Sequence, residues 1–213
     1  MLMIKDYAKK NCIPIVIEIL FIISCFVVPK EYFIYTNFLF YVFLFVYFIV
    51  KRELVLKDWF LSFKSGKTYW KQVALTSLGF ILAFGITTAL ESFFPNLGTG
   101  MIGLRRNSWL TLIIFFISTI LLPAVTEETF YRKSLILLQS NQAIVITALI
   151  SMFLFAAEHS LSWWGILLTM IWAVPLSIAY IKTKNIYVVM TAHFIGNLLG
   201  NGIDVVYTAI QLI

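Results

Sequence analysis

The sequence predicts an all-α fold, a polytopic transmembrane helix bundle of about seven to eight spans with one interfacial amphipathic segment. Three observations predict it. Hydrophobic residues make up 61% of the 213 positions and charged residues 12%, where a soluble domain carries about 45–50% and about 25%. The apolar residues fall in runs near the roughly 20 residues that cross a bilayer at about 1.5 Å each. The basic residues lie almost entirely between those runs, so the net charge of +6 is a topology signal, and no nucleic-acid partner is expected.

The first run extends from about Cys12 to Val28 and stops at Pro29. No small-residue cleavage site follows it, so it reads as a retained span rather than a signal peptide. Cys12 and Cys25 are too few for a disulfide framework and read as packing residues. A second span covers about Tyr32 to Val50. Residues 51–71, KRELVLKDWFLSFKSGKTYWK, mix bulky apolar and basic side chains, as a helix lying on the membrane surface does. The third span covers about Gln72 to Phe94 and ends at Pro95. Residues 95–107 then form a polar, flexible loop. Its Gly98, Gly100 and Gly103 have G-x-G-x-x-G spacing, but without a βαβ context a dinucleotide site is rejected.

A fourth helix is expected from near Ser108 to Gln139, kinked at Pro123. The fifth and sixth spans cover about Ala143 to His159 and Trp163 to Ile181. Residues 186–213, interrupted by Gly196, Gly200 and Gly202, read as two short helices. The chain thus divides into residues 1–107, three spans plus the amphipathic segment, and residues 108–213, a candidate catalytic core.

Orientation follows from the positive-inside rule. With the N-terminus inside, only Lys30, Arg105 and Arg106 of the 16 basic residues fall outside. The expected location is a bacterial cytoplasmic membrane, N-terminus cytoplasmic; abundant Ile, Phe, Lys and Asn suit an AT-rich bacterial genome.

Polar residues within or beside apolar runs carry the functional information, because each costs insertion energy. Three clusters stand out. Glu127-Glu128-Thr129-Phe130-Tyr131-Arg132 follows an apolar run; Glu128 and Arg132 share a helix face at i, i+4 and can pair, while Glu127 points about 100° away. Phe155-Ala156-Ala157-Glu158-His159 closes the fifth span. His193 and Asn197 are again spaced i, i+4. The chain has only 2 His, and both lie in these clusters. A hairpin turning at residues 140–142 brings Glu127 and His159 to similar heights, whereas His193 meets them only if its helix is tilted or offset.

A carboxylate with an imidazole can deprotonate water, and a second imidazole with a carboxamide can stabilise an oxyanion. Glu127, His159 and His193 are equally a ligand set for a divalent metal such as zinc, with a position left for water. The cofactor stays open between such a metal and none. Other intramembrane chemistries fit poorly: H-E-x-x-H and G-x-S-x-G are absent, and Gly200-Asn201-Gly202-Ile203-Asp204 only loosely resembles G-x-G-D.

The three clusters resemble the motif set of the CPBP family: type II CAAX prenyl endopeptidases with bacteriocin-processing and bacteriocin-immunity membrane proteins, also called Abi. Its pattern is E-E-x-x-x-R, F-x-x-x-H and H-x-x-x-N, here Glu127, Glu128 and Arg132; Phe155 and His159; His193 and Asn197. The resemblance spans roughly residues 108–200. It implies a glutamic or metal-dependent intramembrane endopeptidase in which Glu127 and His159 activate water and His193 and Asn197 hold the oxyanion. Glu128 and Arg132 would form a structural ion pair, with Phe155 a motif position. Lys133 stands where the family often has Gly, a departure expected to alter helix packing or the helix boundary.

The implied partners are the lipid bilayer and a peptide or membrane-protein substrate, such as a bacteriocin leader or a signalling peptide. The competing reading is a non-catalytic immunity or regulatory protein that binds a bacteriocin or a sensor. A transporter is less well supported, since no inverted repeat is visible.

Overall fold

The computed structural model describes residues 2–213, with side chains from Tyr7 onward, so the Lys5 side chain lies outside the described residues. The described residues form eight helices: α1 Leu2–Val27, α2 Phe33–Val50, α3 Leu56–Ser62, α4 Lys67–Phe93, α5 Trp109–Ser134, α6 Asn141–Ala157, α7 Trp163–Thr183 and α8 Ile186–Gln211. Six are long and apolar enough to span a membrane, and α6 is a shorter apolar helix. The chain is an integral membrane protein, a polytopic helical bundle.

Outward faces are apolar, as lipid requires: Phe26, Phe43, Leu75, Leu110 and Ile203 are all more than half exposed. The inward faces pack aromatic against aromatic, as where Phe21 stacks on Phe40 at 4.6 Å. Cys25 is buried in this packing, whereas Cys12 faces outward, so only one cysteine packs inside.

Residues 51–71 are not one surface helix. Only Leu56–Ser62 forms the short α3; Lys67 already opens α4, after a turn at Gly66 whose φ of 83° suits glycine. Trp59 on α3 donates to Thr191 Oγ1 at 2.8 Å, and Tyr69 contacts the same hydroxyl at 2.6 Å. The interfacial segment is thereby docked on α8, two residues from His193.

Helix α5 runs through Pro123 without interruption, with a wider π-type stretch, Ile117–Leu121, just before the proline and a second, Glu128–Ser134, beyond it. Such bulges often mark functional sites. Side chains serve backbone carbonyls along this helix. Asn37 and Asn201 donate to the carbonyls of Ser118 and Thr119. Ser151 donates to Tyr131 and Tyr7 to Leu135. The helix ends at Ser134, five residues short of the expected Gln139, and Leu135 continues into non-helical chain.

Helix α8 is one helix of 26 residues, not two. Glycine weakens a helix in water by exposing backbone, but lipid offers the backbone no competing partner. Gly196 has a packing reason: a Cβ there would come within 2.4 Å of the Phe80 ring.

The loop after α4 is docked. Ile102 N–H donates to the His159 carbonyl at 3.0 Å, Leu161 N–H to Gly100 O at 2.9 Å, and Ser160 Oγ to Thr99 O at 2.6 Å. Arg106 ties its far end to α8 through Asp204 at 2.9 Å and Thr208 at 3.1 Å. Gly100 adopts φ 59° against Ser162, so its glycine serves a turn.

Candidate active site

Helix α5 delivers the paired glutamates to the centre of the bundle. Glu127 is seven residues from the end of α5 at Ser134, and His193 is seven residues into α8 from Ile186. At about 1.5 Å per residue both lie about 10 Å from the same end of the bundle. The earlier stop of α5 therefore removes the mismatch that made His193 the outlying residue. His193 Nε2 lies 3.8 Å from Glu127 Oε2, and its Nδ1 lies 2.6 Å from Glu128 Oε1.

Glu128 does pair with Arg132, Nη1 to Oε1 at 3.2 Å, both side chains being fully buried. The same oxygen of Glu128 meets His193, so the pair also orients an imidazole. Phe155 carries the Arg132 guanidinium over its ring at 4.6 Å and lies tilted against the His159 ring at the same centroid distance. Lys133 leaves the core and pairs with Glu53 at 3.5 Å. The lysine thus ties the end of α5 to the loop after α2 and makes no contact with the buried glutamates.

His159 follows the end of α6, with Nδ1 2.8 Å from the Phe155 carbonyl. That carbonyl can only accept, so Nδ1 carries the proton and Nε2 is left with its lone pair in the neutral ring. A cavity of about 550 Å³ opens here, lined by Glu127, Glu158, His159, His193 and Asn197 among others. All four residues singled out as catalytic line this cavity.

The buried residues around them include three carboxyls and two phenols. Tyr41 Oη lies 2.5 Å from Glu127 Oε1 and 3.0 Å from Glu158 Oε1. Tyr131 Oη lies 2.6 Å from Glu158 Oε2 and 3.1 Å from Glu18 Oε2. Glu127 Oε2 is buried and has no hydrogen-bond partner. Sequence reasoning missed Glu18, Tyr41, Tyr131 and Glu158. Glu18 stands alone among apolar neighbours in the first span, and the cost of an intramembrane acid would have flagged it. Glu158 sat within a cluster already noted. Tyr131 sat within another, and Tyr41 carried no signal among 10 tyrosines.

Metal-ligating atoms converge in two groups, each within 4.8 Å: Glu127, Glu128 and His193, and Glu127, Glu158 and His159. The expected ligand trio is thus divided, with Glu127 common to both groups and one histidine in each. A divalent metal fits this donor set: Glu127 Oε2 is free, and each imidazole is fixed through Nδ1 by an acceptor, as metal-ligating histidines are.

No curated protein and no solved structure matches the chain. Residues 107–199, less than half of the chain, match the model of the Rce1-like family, described as type II CAAX prenyl endopeptidase Rce1-like, which is the CPBP family to which the three motifs point.

Proposed function

We propose that this protein is an intramembrane endopeptidase that hydrolyses a peptide bond in a membrane-associated peptide or protein. One observation carries the reading: Glu127, which lines the cavity and shares a donor group with His159, has a buried carboxylate oxygen without a partner, Oε2, 3.8 Å from His193 Nε2. Buried polar atoms are nearly always satisfied, so a free one calls for an explanation, and a catalytic role is one such explanation.

Water held between Glu127 Oε2 and His159 Nε2 gives its proton to this pair as its oxygen attacks the substrate carbonyl carbon. The carbonyl π pair moves onto oxygen. Asn197 Nδ2 donates to that oxyanion and His193 faces it through Nε2, its imidazole oriented through Nδ1 by Glu128. Collapse of the tetrahedral adduct breaks the C–N bond, and the proton taken from water passes to the leaving amine. A metal bound by Glu127 with either histidine would supply Lewis acidity at the same place. Glu128 and Arg132 act through His193 and do not touch the substrate.

The test uses the purified protein in liposomes with a panel of internally quenched peptides, each carrying an apolar segment. The parent cleaves at least one. Glu127→Gln and His159→Ala each lower the rate by about 100-fold or more, the usual worth of acid–base catalysis. Equal cleavage by the parent and both variants overturns the assignment. Peptide binding without cleavage by the parent identifies the immunity or regulatory partner instead. Metal analysis of the same preparation decides between the glutamic and the metal-assisted forms.

A further inference from the structure

We infer that Tyr41 is a positioning residue of this hydrolytic centre: its phenol pins one oxygen of Glu127, so that the other is the oxygen presented to water. The inference rests on the endopeptidase reading and extends it to residues outside the 107–199 match.

A carboxylate has two chemically equivalent oxygens, and its terminal torsion is broad and roughly two-fold. A glutamate acting as base inside a cavity therefore needs something to fix which lone pair faces the water. Tyr41 does this from α2, with Oη 2.5 Å from Glu127 Oε1, while Oε2 stays free. The phenol is itself held. Glu158 Oε1 meets the same Oη at 3.0 Å, Tyr131 Oη takes the other oxygen of Glu158 at 2.6 Å, and Glu18 of α1 meets Tyr131 at 3.1 Å. Every member of this chain is at most 5% exposed. The two rings are packed as well, Tyr41 edge-on to Phe40 at 5.0 Å and Tyr131 edge-on to Phe155 at 5.7 Å.

The brace thus starts on α1, crosses the loop after α6 and ends on Glu127. It gives the first two helices a task in the chemistry, since neither contributes a motif residue. A tyrosine that merely fills space would place its hydroxyl on any convenient acceptor. This one sits between the two carboxyls nearest to His159 and also lines the cavity.

The experiment measures kcat and KM in proteoliposomes on the quenched peptide that the parent cleaves fastest. Tyr41→Phe keeps the ring and removes the hydroxyl. The expected result is a fall in kcat of about 10- to 100-fold, the worth of a hydrogen bond to a charged group. KM stays within about twofold, the pattern of a contribution made in the transition state. In a Glu127→Gln background Tyr41→Phe causes no further loss. Tyr131→Phe and Glu158→Gln, which loosen the brace behind Tyr41, lower kcat in the same sense, and they carry the test should Tyr41→Phe not assemble.

Parental kcat in Tyr41→Phe overturns the inference, as does a raised KM with unchanged kcat. Parental kcat in both brace variants does so when Tyr41→Phe does not assemble. Should Glu127→Gln cleave as fast as the parent, the endopeptidase reading fails and this inference falls with it. A dead Glu127→Gln beside a fully active Tyr41→Phe sinks the inference alone.

Discussion

Arg132 heads the fully buried side chains by size, and only its Nη1 makes a hydrogen bond. Its charge is met by Glu128 on one side and by the Phe155 ring on the other. Removing one partner of a buried pair strands the other, at about 3–5 kcal/mol. Arg132→Met keeps much of the volume and discards the charge. It is expected to lower unfolding stability in mixed detergent micelles by about that amount, and Glu128→Gln in addition to recover part of it. A single variant as stable as the parent would mean that His193 alone balances Glu128. The i, i+4 pairing was legible because residue spacing dictates it. The contact between Glu128 and His193 was not, because it joins two helices whose register depends on where α5 stops.

That stop shows what element boundaries depend on. Leu135-Ile136-Leu137-Leu138-Gln139 is apolar and suited to a helix, so nothing local ends α5 there. Tertiary contacts do: Tyr7 takes the Leu135 carbonyl and Asn11 contacts that of Ser134, both from α1. The opposite error, splitting α8 at its glycines, applied an aqueous penalty in a solvent that does not levy it. The docked loop depends on tertiary fit in the same way. Gly165, in the first turn of α7, lies under it, and a Cβ there would be 1.8 Å from Thr99 O and 2.2 Å from Ser160 Oγ. Gly165→Ala must push the loop away from the His159 backbone. Expected is a loss of about 1–3 kcal/mol, the usual cost of overpacking, with impaired peptide cleavage. Gly85→Ala is the contrast: its Cβ meets nothing within 4 Å inside α4, and with no aqueous penalty on a glycine in this span a change of less than about 0.5 kcal/mol is expected. Thermal unfolding of the two variants in detergent checks the difference. Similar shifts would show that the loop is not seated on α7.

At the scale of the molecule, loops and helix ends sort into two groups by contact. Lys10 and Lys133 both pair with Glu53, and Tyr69 meets the Tyr187 carbonyl. These contacts gather the start of α1, the loop after α2, the end of α5 and the start of α8 at one end. At the other, Met101 bridges Ser160 and Arg106 holds Asp204. The partition drawn from basic residues runs the same way, with Lys10 and Lys133 in the first group and Arg106 in the second. Charge placement made the sorting legible; the number of crossings was not, while residues 186–213 could be divided in two. With α8 unbroken, seven helices run between the ends: α1, α2 and α4 to α8. An odd number puts the termini on opposite sides. The positive-inside rule keeps lysine-rich ends on the cytoplasmic side, so the prediction is an N-terminus inside and a C-terminus outside. Alkaline phosphatase, which folds only after export, should be active when fused after Ile213 and inactive when inserted in the 135–140 loop. A fluorescent protein that matures only in the cytoplasm should give the reverse. Activity of the C-terminal phosphatase fusion equal to that of the loop insertion would mean an even number of crossings, which would require α6 or α8 to turn back within the bilayer.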